Sequence, residues 1–215
     1  MRKTKAPRAS AVAASETIVI VFGEGEKQKR YTLHKRLLTF HCGYFRHALV
    51  DGSKIHYVPA VAEFDTMHFD IIVDWMYERS LTALIDMGSD EDMLNVYILA
   101  ENLSIGTFQN ALMDILFDCL PPCFLSAEDI GMIFETLPQD DPLLRLTTDT
   151  FCLNGWVEEM SNGRPEWVDH LPQAFTVCVI RRMYQLSKLP EADRKLKRED
   201  YGIVESVSSE DKDGE

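Results

Sequence analysis

The stretch "RYTLHKRLLTFHCGYFRHAL", residues 30–49, begins with the pattern of a strand and ends with the pattern of a helix. The pair His34-Lys35 lies at the change. A catalytic base needs a nucleophile or an orienting carboxylate within hydrogen-bond distance, and no spacing in the sequence fixes one there. A strand-to-helix junction leaves free backbone N–H groups that a side chain can satisfy. We therefore interpret His34-Lys35 as structural.

The preceding segment predicts a β-hairpin. "TIVIVFG", residues 17–23, is rich in β-branched and aromatic residues, "EGEK" forms a turn, and "KRYTL" pairs back as a second strand. Gly23 and Gly25 supply the permissive backbone that such a turn needs. A Gly-x-Gly after a strand is also found in dinucleotide-binding loops. Here the third glycine position is Gln28 and a strand follows instead of a helix, which disfavours phosphate binding.

The segments that follow predict one more strand and then helices. "KIHYVPAV" is the third strand, with Pro59 at its end or at a sheet edge. Apolar residues recur with helical spacing in residues 65–81, where Asp65 is the expected N-cap and Trp75 is expected in the core. The same spacing recurs in the hairpin of helices at residues 89–120, which Gly106 is expected to break in two. A second helical block begins at Ser126, which starts a Ser-x-x-Asp capping pattern before an apolar stripe. The predicted fold class is α+β, a small three-stranded sheet capped by helices and followed by an all-helical C-terminal extension.

Composition limits the classes of function. The chain has 215 residues, 46% of them hydrophobic, so it can form a sizeable core. The formal net charge of −13 disfavours general nucleic-acid binding, and no apolar run approaches the length of a membrane span. Five irregularly spaced cysteines without a signal peptide predict reduced thiols and a cytoplasmic or nuclear location. Residues 1–15 are basic and short, and we predict a disordered tail rather than mitochondrial targeting.

Candidate metal ligands do not form a known pattern. Three histidines and a cysteine lie close together in sequence: His34, His41, His47 and Cys42. They match no zinc spacing with a second ligand pair, and Cys119-x3-Cys123 also lacks a second pair. We predict small buried thiols and surface histidines, with no metal-binding or cofactor-binding residue.

Acidic and aromatic clusters also have plain structural interpretations. Asp90-Glu91-Asp92 and Asp140-Asp141 lie at helix starts or in loops, where carboxylates commonly act as solvated caps. Four aromatic residues could line a ligand pocket but at their spacing are more typical of a core: Tyr44, Phe45, Trp75 and Tyr77. We therefore predict no catalytic residue.

The order of these motifs resembles a BTB/POZ domain. The likeness lies in "TIVIVFGEGEKQKRYTLHKRLLTFHCGYFRHAL", in "IHYVPAV", in "FDIIVDWMYERSL" and in "MLNVYILAENLSIGTFQNALMDIL", which together cover about residues 17–120. Each element is weakly diagnostic, but their order and spacing are fairly specific. The "WMY" variant and the helical block after it are similar to stand-alone fungal BTB proteins.

The resemblance implies a protein–protein interaction module that is not an enzyme. We expect a disordered basic tail at residues 1–15, a BTB/POZ-like domain at 16–122, a helical extension at 123–198 and a disordered acidic tail at 199–215. The implied function is that of an adaptor or scaffold, which in some members recruits a substrate to a cullin-type ubiquitin ligase. The alternatives are a self-associating structural or regulatory protein, and an enzyme with a site between the domain and the extension.

The resemblance also locates a candidate partner site. Cullin-binding members often carry an apolar-x-Glu element before the third strand, and the nearest counterpart here is Leu49-Val50-Asp51. Leu49 and Asp51, together with the surface of the hairpin at residues 90–119, are therefore the predicted partner-binding site, although Leu49 could equally lie in the core. Members that dimerise usually carry a helix before the first strand, and the predicted tail at that position disfavours such a homo-oligomer.

Overall fold

The computed structural model describes residues 6–49, 54–58, 64–120, 125–153 and 166–203. These residues form the following strands: β1 (Thr17–Phe22), β2 (Lys29–His34) and β3 (Ile55–Tyr57). They form the following helices: α1 (Ala9–Ala13), α2 (Lys35–His41), α3 (Gly43–Ala48), α4 (Thr66–Glu78), α5 (Thr82–Met87), α6 (Asp90–Asn102), α7 (Gly106–Cys119), α8 (Ala127–Thr136), α9 (Pro142–Leu153) and α10 (Gln173–Ser187). Among the described residues, no helix is long and apolar enough to cross a bilayer.

The sheet has the order β2-β1-β3, with β1 in the centre. β1 runs antiparallel to β2, which begins after a turn in which Gly23 and Gly25 have φ values of 84° and 56°. β1 runs parallel to β3, so the chain crosses over between them through α2 and α3. The predicted hairpin, third strand and α+β class are confirmed, while Pro59 lies outside the described residues.

The core forms where helices cover the sheet. Phe22 of β1 stacks on Phe69 of α4 with ring centroids 4.6 Å apart. Trp75 of α4 is 4% exposed and meets Phe108 of α7 edge-on at 5.0 Å. The predicted burial of Trp75 is confirmed. The N-cap predicted at Asp65 is also present, because its carboxylate accepts a hydrogen bond from the Met67 N–H at 3.1 Å.

The helical hairpin of α6 and α7 turns at a serine instead of a glycine. Ser104 takes the left-handed conformation, with φ 53°, whereas the sequence pointed to Gly106 as the break. The start of α3 is bound to this turn through the Gly43 N–H, which donates to the Ser104 carbonyl at 3.0 Å. A Cβ atom at position 43 would lie 2.8 Å from the Ser104 Cβ, so the contact requires glycine.

The C-terminal extension joins the main core and also builds a small core of its own. Leu143, Leu144 and Leu146 of α9 belong to the main core, together with side chains of α8. A separate cluster surrounds the fully buried Phe175 of α10, which meets Phe151 edge-on at 5.1 Å. α8 and α9 therefore connect the N-terminal domain with α10.

Both predicted tails contain ordered residues. The sequence predicted a disordered tail at residues 1–15, but α1 forms there and its Val12 is 8% exposed within the main core. Alanine-rich composition favours the helix, and burial of Val12 holds it in place. The second predicted tail, from residue 199, begins inside a 3-10 helix, Arg198–Tyr201, whose Tyr201 is 3% exposed. The predictions for these two stretches are therefore wrong where the structure describes them.

Candidate functional site

His34 lies at the junction of β2 and α2 and is tied to α4. Its backbone N–H donates to the Tyr77 hydroxyl at 3.2 Å, and its Nδ1 lies 2.8 Å from the same oxygen. The Lys35 N–H donates to the Glu16 carbonyl at 2.8 Å. Backbone donors at the helix start are therefore satisfied, which agrees with the structural interpretation of His34-Lys35. The sequence did not reveal that Tyr77, distant in the chain, supplies the hydroxyl.

A second histidine is held neutral beside an arginine. Arg79 ends α4 in the left-handed conformation, and its guanidinium carbon lies 4.3 Å from the centroid of the Trp75 ring. Its Nη2 donates to His41 Nε2 at 2.9 Å. Burial, and then the charge of Arg79, lower the pKa of His41 to about 4. His41 is thus an uncharged acceptor at neutral pH that fixes Arg79 over Trp75.

At the start of α6 a serine caps the helix, and an acidic residue of the first turn pairs with a histidine. The Ser89 hydroxyl accepts from the Asp92 N–H at 3.3 Å, while the Asp92 carboxylate pairs with His68 Nε2 at 3.0 Å. His68 is buried, and its Nδ1 meets no hydrogen-bond partner in the described part of the chain. A half-buried histidine–carboxylate pair therefore links α4 to the start of α6. Within the described ranges, no group of three or more His, Cys, Asp or Glu residues is arranged to hold a metal ion.

Leu49, one half of the predicted partner site, faces inward. Its side chain is 4% exposed and belongs to the main core, which corresponds to the alternative that the sequence left open. Asp51 lies outside the described residues. Partner binding at Leu49 and Asp51 stays a prediction, and among the described residues an exposed contribution has to come from the neighbouring hairpin.

One side of α7 in that hairpin is covered by residues 198–203, which we name the C-terminal strap. Arg198 Nε donates to the Asp114 carboxylate at 2.6 Å. The Asn110 side chain accepts from the Ile203 N–H at 2.8 Å and donates to the Ile203 carbonyl at 3.1 Å. The buried Tyr201 packs against Phe117 with ring centroids 5.9 Å apart. Part of the predicted partner surface on α7 is therefore occupied by the chain itself.

Two further polar contacts join the hairpin to the extension. The Tyr97 hydroxyl of α6 donates to Asp141 Oδ1 at 3.0 Å, and the Leu143 N–H at the start of α9 donates to the same oxygen at 2.7 Å. Burial raises the pKa of Asp141 to about 6, although both hydrogen bonds oppose the rise. Glu101 and Asp140 raise it further by charge repulsion. The carboxylate therefore caps α9 and links α9 to α6, but it is buried there and not solvated as the sequence predicted.

The family model of the BTB/POZ domain matches residues 14–118. The chain carries a BTB/POZ domain. This match confirms the resemblance drawn from the sequence and covers β1 to α7, including α4 and the α6–α7 hairpin. A search of the curated proteins found no match. The likeness to stand-alone fungal BTB proteins stays a prediction. BTB/POZ domains are protein–protein interaction modules, so the functional surface of this domain is a binding surface.

Asp149 anchors the extension that follows the BTB/POZ domain. Its carboxylate forms an ion pair with Arg182 of α10 at 2.6 Å and accepts from the Tyr201 hydroxyl at 2.6 Å. Burial and this hydrogen bond raise the pKa of Tyr201, which keeps its hydroxyl protonated as a donor. α9, α10 and the C-terminal strap thus converge on one side chain.

Sequence reasoning did not find the C-terminal strap or its contacts. Its only local signal is that Tyr201 and Ile203 are apolar residues within a charged segment. Arg198 and Asp114, like Tyr201 and Asp149, are distant in the chain and have no fixed spacing. Such pairs become visible only when the fold places the two elements side by side.

Proposed function

We propose that the chain is an adaptor in which the BTB/POZ domain binds a cullin-type ubiquitin ligase scaffold and the helical extension recruits a substrate. The observation that carries the proposal is the interface between the BTB/POZ domain and the helical extension. An adaptor has to hold two binding surfaces in a fixed relation, because a substrate must reach the chemistry of the complex in a defined position. Shared core residues and polar contacts hold the domain and the extension together in this chain.

The interface between the domain and the extension combines apolar packing with specific hydrogen bonds. Leucines of α9 enter the core of the BTB/POZ domain, and Asp141 bonds Tyr97 from the same helix start. The C-terminal strap returns to α7, where Arg198 and Ile203 are bound. These contacts tie both ends of the extension to the domain. Hinged motion between the two parts is therefore opposed by buried contacts on each side.

The cullin half of the proposal rests on the BTB/POZ family and on the sequence resemblance that pointed to Leu49 and Asp51. Leu49 is buried, so a partner would meet Asp51 and the exposed part of the α6–α7 hairpin instead of the Leu49 side chain. A specific interface buries on the order of 1,000 Å² or more, which a single acidic residue does not provide. Charge at the edge of such an interface mainly controls the rate of association.

A purified two-component assay with a cullin scaffold tests this half. Wild-type chain should bind, and Asp51→Lys should weaken binding several-fold while the melting temperature stays nearly unchanged. Asp193→Lys, the same charge reversal at an exposed position of the extension, is the matched control and should leave the affinity unchanged. Absence of wild-type binding at tens of micromolar would remove the ligase role and leave an interaction module with other partners.

Self-association is a second candidate, favoured by α1. The sequence resemblance linked BTB dimers to a helix before the first strand, and α1 lies at that position. Light scattering on a sizing column at several protein concentrations would distinguish a monomer from a dimer. A monomer at every concentration would exclude this candidate.

The proposed compartment is the cytoplasm or nucleus. The four cysteines that the structure describes are free thiols: Cys42, Cys119, Cys152 and Cys178. Burial raises the pKa of Cys42 well above its ordinary value and that of Cys152 to about 11, which keeps both thiols protonated. Unreactive thiols suit a reducing compartment.

A further inference from the structure

The helix α10 has two apolar faces, and only one of them is packed against other described residues. Phe175, Val179 and Leu186 are buried, and the first two belong to the small core of the extension. On the opposite side lie Val177, Ile180 and Tyr184, spaced by three and four residues so that they share one face. They are 36%, 63% and 63% exposed. We name these three residues the outer face of α10.

The outer face lies in the main concentration of exposed apolar side chains. In the described ranges, large hydrophobic residues are exposed at nine positions, five of which fall between residues 177 and 189: Val177, Ile180, Met183, Tyr184 and Leu189. Scattered exposed apolar residues are ordinary, but a contiguous patch marks a surface that another molecule covers. None of these five residues belongs to the described main core that the BTB/POZ domain shares with the extension.

The charge around the outer face is opposite to that of the chain. The segment 173–189 contains no aspartate or glutamate, although the chain has a formal net charge of −13. Arg181 and Lys188 lie beside the face in the helical projection, and Lys188 Nζ lies 4.0 Å from the centroid of the Tyr184 ring. Arg182 points the other way and pairs with Asp149. An apolar stripe edged by two cations is complementary to an apolar segment edged by carboxylates.

We propose that the outer face of α10 docks an amphipathic helix of a partner protein that is rich in aspartate and glutamate. Its apolar side chains would cover Val177, Ile180 and Tyr184, and its carboxylates would pair with Arg181 and Lys188. This proposal rests on the adaptor function, since it specifies the chemistry of the substrate that the extension recruits. Met183, which lies next to this face in the helical projection and is 37% exposed, extends the apolar area on which such a helix lies.

A second copy of the chain is a poorer occupant. In an isologous dimer the outer face of one α10 meets the outer face of the other. Arg181 and Lys188 of both copies would then converge, and neither helix carries an acid to compensate them. Like charges brought together at an interface oppose association. Charge therefore selects an acidic partner over self-pairing.

An anionic membrane is also a poorer occupant. Helices that lie in a membrane interface combine a broad apolar face with many lysines and arginines. The outer face has three residues and two neighbouring cations, and the remaining chain is strongly acidic. A membrane surface would repel that acidic body over the whole contact area, whereas a single partner helix meets only the local charge.

Selection from a peptide library displayed on phage tests the proposal. The probes are helical peptides of about 16 residues with leucine at helically spaced positions, and with flanking positions free to be Asp, Glu, Lys, Arg or Ser. Selection against the wild-type chain should enrich aspartate and glutamate. Affinities of the selected peptides are then measured by fluorescence polarisation.

Matched variants locate the binding site. Ile180→Asp should weaken binding of the selected acidic peptides at least tenfold, whereas Ile85→Asp, at an isoleucine of α5 that is 58% exposed, should leave it unchanged. Arg181→Glu should weaken the acidic peptides, and lysine substitution in the peptide should restore affinity for that variant. Circular dichroism checks that each variant is folded, and Ile180→Ala serves as a milder change.

Several results would overturn the proposal. The first is enrichment of lysine or arginine in the selected peptides, and the second is a failure to select any peptide whose binding is weakened by Ile180→Asp. The third is a wild-type dimer that Ile180→Asp dissociates. The fourth is binding of phosphatidylcholine–phosphatidylserine vesicles by the wild type but not by Ile180→Asp. The selection contains no cullin, and the cullin assay contains no peptide. A failure of either proposal is therefore distinguishable from a failure of the other.

Discussion

Replacing Asp141 by asparagine should change how the stability of the chain depends on pH. Asp141 is 6% exposed and bonds Tyr97 and the Leu143 N–H, and its pKa of about 6 lies above the ordinary 3.8. A carboxyl group whose pKa is higher in the folded chain binds more protons there than in the unfolded chain. The stability that it contributes is therefore lost as pH rises from about 3.8 to about 6.

The difference between these two pKa values corresponds to roughly 3 kcal/mol. Between these two pKa values the unfolding free energy of the wild type falls by about 1.4 kcal/mol per pH unit, and the fall ends near pH 6. Asparagine keeps a carbonyl oxygen for both donors and cannot ionise. Relative to wild type, Asp141→Asn should therefore gain about 1 kcal/mol in unfolding free energy between pH 5 and pH 7. His41 titrates in the opposite sense, because its lowered pKa makes stability rise with pH, but it is identical in both chains and cancels.

Urea unfolding followed by tryptophan fluorescence, at steps of pH from 5 to 7.5, measures this difference directly. Tyr97→Phe provides a control of opposite sign, because loss of a hydrogen bond to the carboxylate raises the pKa of Asp141 further and steepens the fall of stability with pH. A free-energy difference between Asp141→Asn and wild type that stays constant across this range would refute the reasoning. It would mean that Asp141 titrates alike in the folded and unfolded chains.

Three further changes test the packing. Trp75→Ala should cost about 3–5 kcal/mol in urea unfolding, and a loss below about 1 kcal/mol would show that Trp75 is not a core residue. Gly43→Ala should destabilise the chain by about 1–3 kcal/mol, because the new Cβ would meet Ser104. The control is Gly131→Ala, where no atom lies within 4 Å of the new Cβ, and it should stabilise α8 by about 0.5–1 kcal/mol. Equal effects of the two changes would contradict the Gly43 contact. Tyr201→Phe should cost about 1–2 kcal/mol by removing the bond to Asp149, and an unchanged melting temperature would show that the C-terminal strap is not held there.

Local patterns in the sequence predicted most elements of the fold. The β-hairpin, the third strand, the helical hairpin and the caps at Asp65 and Ser126 depend on neighbouring residues whose spacing is visible in the chain. Trp75 was identified as core for the same reason. The turn at Ser104 was missed because its left-handed conformation is imposed by packing against Gly43, and glycine at 106 was the stronger local signal.

The polar contacts that join the parts could not be predicted in this way. Tyr77 meets His34, Tyr97 meets Asp141, and each pair is more than 40 residues apart in sequence. A hydroxyl or carboxylate reaches its partner only after apolar packing has set the distance between two elements. The sequence identifies such groups as capable of bonding, but their partners follow from the tertiary fold.

The C-terminal strap shows why composition alone misjudged the end of the chain. A charged segment with few apolar residues does not fold by itself, because its ordering entropy exceeds what it can bury. Docking on a helix that is already folded changes this balance, since α7 offers Asn110 and Asp114 as fixed hydrogen-bond partners and Phe117 as an apolar contact. Tyr201 alone then buries an aromatic ring and satisfies its hydroxyl. A prediction of disorder from composition thus assumes that no folded surface is available to bind the segment. In this chain α7 provides such a surface.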